Sequence, residues 1–315
     1  MSDTFWILLG IAFLYGGAEG LVHGAYRVAI RLGMTPLVAG LTVVSIGTSM
    51  PEAVASFIAQ VNEGLGDLAM GNVVGSNIAN IGLIAGVAAL SRPMEVSRAL
   101  RYRETPIMLG ALVIFTLLMV GDRLGRGGGV VLILIIAAYL VWQAVIGKRE
   151  NALDPALKAE AEHISGRHWL IDLLILVSGG VALVFGGWAL VKGSIDLATK
   201  LGVSDRVIGL TIVAIGTSLP ELATSLVAAL RGHGAIALGN VVGSNLFNAC
   251  FIAGGVAVIS PITFVPRLVT IDAPVMLALS AILWLMMLTS KRIVRWEGGL
   301  LLLLYGAYLW WGVVK

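Results

Sequence analysis

The sequence predicts an all-α membrane protein with ten transmembrane helices, arranged as two inverted five-helix repeats. Composition is the first reason. Of the 315 residues, 58% are hydrophobic and only 12% are charged, with a mean hydropathy of +0.96, whereas about a quarter of the residues in a soluble domain are charged. A repeated polar phrase is the second reason, because residues 40–52 read GLTVVSIGTSMPE and residues 209–221 read GLTIVAIGTSLPE.

Most of the apolar segments are long enough to cross a bilayer as helices, which need about 20 residues. Stretches such as VVLILIIAAYLVW do not alternate between apolar and polar residues, so they do not resemble the strands of a membrane barrel. The ten segments are roughly 5–31, 36–61, 67–91, 104–121, 128–147, 168–199, 205–230, 235–260, 270–289 and 296–313.

A second phrase is also written twice, as GNVVGSNIAN and GNVVGSNLFN. The two pairs of phrases divide the chain into a first repeat with its motif, a linker, and a second repeat with its motif. Because five helices is an odd number, the second repeat must enter the membrane inverted relative to the first. The boundaries are 1–147 for the first repeat (motif 40–80), 148–167 for the linker and 168–315 for the second repeat (motif 209–248).

Loop charges predict the orientation and limit the function classes. With both termini outside, the inner loops and the linker carry roughly twice as many Lys and Arg residues as the outer loops, as the positive-inside rule expects. Neither a nucleotide-binding motif nor a nucleic-acid-binding surface is recognisable. The histidines lack the spacing of metal ligands, and the single cysteine, Cys250, excludes an intrachain disulfide. Transport would therefore depend on an ion gradient.

The first phrase places a carboxylate in the middle of a spanning segment. Gly47 and Pro51 should break the helix beside Glu52, which frees backbone carbonyls. Ser49 and Glu52 also fit a capping box, which is a purely structural role. However, an ionised carboxylate at membrane depth is costly unless it is paired, and no Lys or Arg lies nearby in the sequence. The phrase ending at Glu221 has the same features, so a bound cation or a proton is the expected partner of both glutamates.

The second phrase places polar residues on one face of a helix, at positions i, i+4 and i+8. Its glycines indicate close helix packing. The stripe either joins helices by hydrogen bonds or coordinates ions, and the nearby glutamates favour coordination. Asn77 and Asn245 point away from the stripe and are expected to brace the backbone. The stripe residues are Asn72, Ser76 and Asn80, and Asn240, Ser244 and Asn248.

The paired GTSxPE and GNVVGSN phrases on a five-plus-five repeat resemble the cation/calcium exchanger superfamily, in particular the prokaryotic sodium/calcium exchangers. This resemblance implies a central cluster of sites used alternately by Na⁺ and Ca²⁺, with Glu52 and Glu221 bridging Ca²⁺. Potassium-dependent relatives carry Asp at the place of Asn248. With Asn at both 80 and 248, this sequence resembles the potassium-independent branch. The implied ligands are the side chains of Thr48, Ser49, Glu52, Ser76, Asn80, Thr217, Ser218, Glu221, Ser244 and Asn248, and the backbone carbonyls of Ser45 and Ala214.

The predicted function is therefore a secondary antiporter, not an enzyme, in the cytoplasmic membrane of a prokaryote. It needs no cofactor and no obligatory protein partner; its substrates are Na⁺ and Ca²⁺, and the lipid bilayer surrounds it. An H⁺/Ca²⁺ antiporter using the same glutamates remains an alternative, and a cation channel or a purely structural membrane protein is a more distant one. Glu19 lies within the first segment and could face a water-filled vestibule.

Overall fold

The computed structural model describes residues 3–153, 168–201 and 216–314, which are almost entirely helical. Helices α1 to α6 precede the linker and α7 to α11 follow it. The helices are α1 (Asp3–Arg31), α2 (Pro36–Thr48), α3 (Met50–Asn62), α4 (Gly66–Ser91), α5 (100–118), α6 (Arg126–Leu153), α7 (Trp169–Lys200), α8 (Leu219–Leu230), α9 (Gly234–Ile259), α10 (Leu268–Thr289) and α11 (Arg295–Val314). Four two-residue strands lie between helices: β1 (Met94–Glu95), β2 (Arg123–Leu124), β3 (Ile262–Thr263) and β4 (Arg292–Ile293).

The predicted membrane class agrees with the helices, although the predicted number of spans is not reached. Among the described residues, six helices are long and apolar enough to cross a membrane: α1, α4, α6 (over Arg126–Val145), α7, α9 and α10. Helices α2 and α3 meet at a bend of 42° and count as a seventh span when taken together. The first part of the segment predicted over 205–230 lies outside the described residues, as does linker stretch 154–167.

Helix α6 is longer than the sequence predicts. The prediction ends this helix at 147, whereas the backbone remains helical to Leu153. The residues KRENAL that follow the apolar run contain no proline or glycine, so nothing in the local sequence stops the helix. The helix therefore takes in the first residues of the predicted linker.

Helices α4 and α9 form the centre of the molecule. In each, 78% of the apolar spanning stretch is buried, against 28% in α6 and α7. In α9 the glycines of the GNVVGSN phrase let neighbouring backbone approach closely, whereas Gly71 and Gly75 of α4 have no described neighbour within 4 Å of a Cβ position. A Cβ atom on Gly239, for example, would fall 2.9 Å from the backbone oxygen of Leu37. The central helices are therefore the ones that carry the repeated polar stripe.

Helices α1 and α7 pack along each other as an antiparallel pair outside this centre. Glycines on both helices let the backbones touch: a Cβ atom on Gly17 would fall 2.7 Å from the nitrogen of Leu183, and one on Gly186 would fall 2.6 Å from the nitrogen of Leu14. Ion pairs join the pair at both of its ends. Lys200 contacts Asp3 at 2.6 Å, and Arg31 contacts the buried carboxylate of Asp172 at 2.7 Å.

The two halves of the chain exchange contacts in a reciprocal pattern. Strand β1 pairs with β4 and strand β2 pairs with β3, both antiparallel, so each pair joins one half to the other. Helix α4 packs on α11, where Gly86 meets Gly298, and helix α9 packs on α6, where Gly254 meets Gly129. The halves are thus interlocked rather than placed side by side.

Candidate cation-binding site

The break in the first repeat occurs where the sequence predicts it. Ser49 leaves helical geometry (φ −84°, ψ 7°) between α2 and α3, and Pro51 follows in the first turn of α3. Ser218 has nearly the same geometry (φ −90°, ψ 6°) before α8, where Pro220 occupies the matching place. Proline has no N–H and cannot continue the preceding helix. Each break therefore sets a serine directly in front of a glutamate-bearing helix.

The two serines do not cap their own helices. Neither side chain makes a capping hydrogen bond, so the capping-box interpretation is wrong for the described structure. Instead, the Ser49 hydroxyl donates to Oε1 of Glu221 at 2.8 Å, and the Ser218 hydroxyl donates to Oε1 of Glu52 at 3.0 Å. The two broken helices are thereby joined by a reciprocal pair of hydrogen bonds between residues distant in sequence.

Both glutamates are buried and only partly satisfied. Each side chain is about 1% exposed, and Oε2 of each has no hydrogen-bond partner among the described residues. None of the ion pairs found between described residues involves Glu52 or Glu221. A buried, unpartnered carboxylate oxygen is unfavourable. Two of them, one from each broken helix, form an acceptor set that has no donor within the described part of the chain.

The threonines and the first asparagines of the polar stripes brace the broken helices. Thr48 donates to Oδ1 of Asn240 at 3.2 Å, and Thr217 donates to Oδ1 of Asn72 at 3.4 Å. The side-chain nitrogen of Asn72 in turn donates to Ser56 at 2.9 Å. Because a neutral hydroxyl that donates its proton keeps lone pairs on its oxygen, both threonines can still serve as oxygen ligands.

Two other members of the stripes join this hydrogen-bond network, and the last asparagine of each stripe has an unpartnered side-chain oxygen among the described residues. Ser218 contacts the hydroxyl of Ser76 at 3.3 Å, and Ser244 contacts Asn240 at 3.5 Å. Asn248 is fully buried, and neither its side-chain oxygen nor its nitrogen has a partner within the described part of the chain. Oδ1 of Asn80 is likewise unpartnered there. Side-chain oxygens of both stripes are therefore left without a donor among the described residues.

Two features of this region were not predicted from the sequence. Asn80 and Asn248 lie at the start of π-helical turns, as the first residue of Asn80–Ala85 and the second of Phe247–Ile252; such turns are rare and are frequent at functional sites. In addition, Asn245 accepts a hydrogen bond from Asn80 at 3.0 Å, although it was expected to brace the backbone. The extra residue in a π-helical turn changes which side chains face each other, and a fixed 3.6-residue period does not reveal it.

Hydrogen bonds tie eight of the implied ligands to the two broken helices and the stripes beside them: Thr48, Ser49, Glu52, Ser76, Thr217, Ser218, Glu221 and Ser244. The carbonyl of Ser45 accepts the backbone N–H of Ser49 at 3.0 Å, and the Thr48 hydroxyl, whose single proton is shared with Asn240, lies 3.4 Å from it; this carbonyl is therefore used within its own helix. Ala214 lies outside the described residues. The converging groups are carboxylate, hydroxyl and amide oxygens, which hard cations prefer. Clusters of three or more His, Cys, Asp or Glu residues able to hold a metal are absent from the described residues.

Comparison with known proteins identifies the class. The sequence model of the family described as "Sodium/calcium exchanger protein" matches residues 2–145 and again residues 171–314, so the chain belongs to this family of membrane transporters. It is 36% identical over 337 residues to the sodium/calcium exchanger MaX1 of Methanosarcina acetivorans, covering 96% of each chain. It is 34% identical over 317 residues to the inner membrane protein YrbG of Escherichia coli K12, covering 98% of this chain and 95% of the relative.

A solved structure gives the same result at the level of the fold. The sodium-calcium exchanger NCX_Mj, in crystals soaked with zero Na⁺ and Ca²⁺, superposes with a TM-score of 0.84 at 32% identity, with 96% of each chain covered. The predicted membership of the cation/calcium exchanger superfamily is thereby confirmed. The chain is a multi-pass membrane exchanger, and the roles of its individual site residues remain predictions.

Proposed function

We propose that the protein exchanges Na⁺ for Ca²⁺ by alternating access, with Ca²⁺ held between Glu52 and Glu221. The observation that carries this proposal is the pair of buried Oε2 atoms without a donor or a Lys or Arg partner among the described residues. A cation is the natural complement of two such oxygens, because burying unpaired charge costs several kcal/mol per ion. The remaining ligands would come from the hydroxyl and amide oxygens that surround the glutamates.

The charge of the site supports exchange rather than uniport. Two carboxylates neutralise one Ca²⁺ or two Na⁺ ions, and a third Na⁺ would leave only a single positive charge. The empty site would keep two negative charges in a medium of low dielectric constant, which is unfavourable. The empty carrier would therefore rarely change its orientation, and movement of one ion would depend on return of the other.

We also propose that the fold consists of ten spans in two inverted repeats with both termini outside. The double family match, the interlocked halves and the reciprocal bonds Ser49–Glu221 and Ser218–Glu52 support the repeat. Helices α5 and α11, together with the segment predicted over 205–230, which contains α8, would complete the ten. The loop charges support the orientation and a location in the cytoplasmic membrane.

The α1–α7 pair is the proposed moving part. It is held together by glycine contacts and by ion pairs at both ends, and an apolar groove of about 600 Å³, lined by Gly47 and Met50, lies between α7 and the first broken helix. An ion pair between Glu19 and Arg231, at 2.6 Å, joins α1 to the end of α8. Glu19 thus has a cationic partner in this state rather than a role as an ion ligand.

The proposal is tested by Ca²⁺ flux into proteoliposomes that contain the purified protein. A Na⁺ gradient imposed at clamped pH should drive ⁴⁵Ca²⁺ movement, and K⁺ should have no effect, since Asn occupies both 80 and 248. Fast net Ca²⁺ entry without any counter-ion would refute the exchange mechanism. Single-channel currents would point to a channel instead.

An H⁺/Ca²⁺ antiporter is the second candidate, and the same observation favours it. A proton on Oε2 of Glu52 or Glu221 would also satisfy these buried oxygens. The two candidates are separated by imposing a pH gradient with Na⁺ absent. Ca²⁺ movement driven by the pH gradient alone, and unaffected by Na⁺, would replace the sodium-coupled proposal.

A further inference from the structure

A cavity of about 1090 Å³ lies at the end of the molecule opposite to β2 and β3, where β1 pairs with β4. We call it the basic cavity and define it by Arg92, Glu95, Ser97, His233, Lys291 and Arg292, which line it together with neighbouring backbone. Three of these side chains are fixed cations and one is an anion, so the described lining carries a net positive charge. None of these residues belongs to the proposed cation-binding site.

Arg92 and Arg292 are placed so that each can bind an anion in the cavity. Arg92 is anchored because its Nη1 donates to the carbonyl of Leu230 at the end of α8, at 2.8 Å. Arg292 contacts Glu95 at 2.6 Å, but both side chains are largely exposed, at 62% and 76%. Exposed ion pairs contribute little, so Arg292 can exchange Glu95 for a stronger acceptor at small cost.

The surroundings indicate that the anion is carried by a lipid. The cations lie directly after Ser91 and Thr289, where α4 and α10 end. At the same end, Gly298 of α11 packs against the backbone of Leu90. Leu90 and nearby Trp296 are exposed, at 47% and 68%. Exposed apolar side chains beside cations, with a tryptophan, are typical of the boundary between the hydrocarbon and the headgroups of a membrane.

We propose that the basic cavity binds the phosphate of an anionic phospholipid headgroup, with Arg92, Lys291 and Arg292 as its ligands and the acyl chains lying along Leu90 and Trp296. Arg and Lys are the side chains that bind phosphate oxygens best, by charge-assisted hydrogen bonds. The first backbone groups of α9, at Gly234 and Ala235, line the same cavity and add partial positive charge there. The charge and the exposed apolar rim together favour a lipid over a free anion.

The test is a binding measurement on the full chain in detergent, and it does not depend on transport. Native mass spectrometry would count short-chain phosphatidylglycerol and phosphatidylcholine molecules retained by the protein, with inorganic phosphate as a competitor. The variant is Lys291→Gln combined with Arg292→Gln. The matched control is Arg98→Gln combined with Arg295→Gln, which removes the same charge at the same end of the molecule but from exposed residues that do not line the cavity.

The wild type should retain phosphatidylglycerol in preference to phosphatidylcholine. The Lys291/Arg292 variant should bind it about 25-fold more weakly, roughly fivefold for each cation removed, and the Arg98/Arg295 control should bind like the wild type. Equal losses in the two variants, or no preference between the lipids, would overturn the proposal. Displacement of the lipid by millimolar inorganic phosphate would assign the cavity to a soluble anion instead.

Loss of folding is separated from loss of binding by two measurements. Both double variants should melt within a few degrees of the wild type when lipid is absent, because Lys291 and Arg292 are exposed. A charge-preserving variant, Lys291→Arg combined with Arg292→Lys, should retain lipid. If that variant loses lipid as completely as the glutamine variant, charge is not the cause and the proposal is wrong.

Discussion

Replacing Glu52 by Gln tests the proposed role of the carboxylate most directly. The side chain is about 1% exposed, its Oε1 accepts the Ser218 hydroxyl at 3.0 Å, and its Oε2 has no partner among the described residues. A glutamine is nearly the same size, and its amide oxygen can still accept the Ser218 hydrogen bond. The substitution therefore changes mainly the charge of the site, from two negative charges to one.

The expected loss follows from this change of charge. At an effective dielectric constant of 20, two unit charges about 4 Å apart interact by about 4 kcal/mol, and a divalent ion doubles that value. The amide dipole of glutamine recovers part of the interaction. A remaining loss of about 4 kcal/mol corresponds to roughly a thousandfold weaker Ca²⁺ binding. The Ca²⁺ concentration that half-saturates Na⁺-driven ⁴⁵Ca²⁺ uptake in proteoliposomes should therefore rise roughly a thousandfold.

Glu104 offers a matched control because it is equally buried but lies away from the site. Its carboxylate accepts hydrogen bonds from Tyr139 at 2.8 Å and Gln143 at 2.5 Å, and it is paired with Arg103. Glu104→Gln should therefore lower the melting temperature without changing the Ca²⁺ concentration for half-saturation. If Glu52→Gln stays within about tenfold of the wild type while remaining folded, Ca²⁺ is not bound by this carboxylate.

Three further predictions concern neighbouring contacts. Ser218→Ala removes a hydrogen bond to a charged acceptor, which contributes about 1.5–3 kcal/mol; Ca²⁺ affinity should fall at least tenfold in a titration of the purified protein, and unchanged affinity would contradict a role for this bond. Asn248→Asp adds a third carboxylate and should make ⁴⁵Ca²⁺ exchange respond to K⁺, which flux with and without K⁺ would reveal. Asp172→Asn removes the buried carboxylate that contacts Arg31 and Arg27 and should lower stability by about 1.5–3 kcal/mol, measured by thermal unfolding; an unchanged melting temperature would show that this contact does not hold α1 to α7.

The exchange of partners between the two repeats also has a mechanistic consequence. Each glutamate is held by a serine from the other half, so neither half forms a complete site. A displacement of one broken helix relative to the other would change both hydrogen bonds and both carboxylate positions together. Coupled changes of this kind let the occupancy of the site influence which side of the membrane it faces.

The sequence by itself determined the class of the protein and the local chemistry of its site. Low charge and long apolar runs predicted that the chain lies in a membrane. Pro51 and Pro220 predicted the two helix breaks, because a proline has no N–H to donate to the preceding turn. The doubled phrases identified Glu52 and Glu221 as the unusual charges. These conclusions depend on residues close together in the chain, where simple steric and hydropathy rules apply.

Only the tertiary structure decided which groups meet. Ser49 lies three residues from Glu52, yet its hydroxyl bonds to Glu221, 172 positions away in the chain. The π-helical turns at Asn80 and Asn248, and the contact of Asn80 with Asn245, likewise depend on how α4 and α9 pack. Local rules favoured a capping role, in which the serine oxygen accepts a backbone N–H of its own helix. The interlocking of the two halves instead brought a buried carboxylate within reach of the serine hydroxyl proton, and no spacing in the sequence encodes that contact.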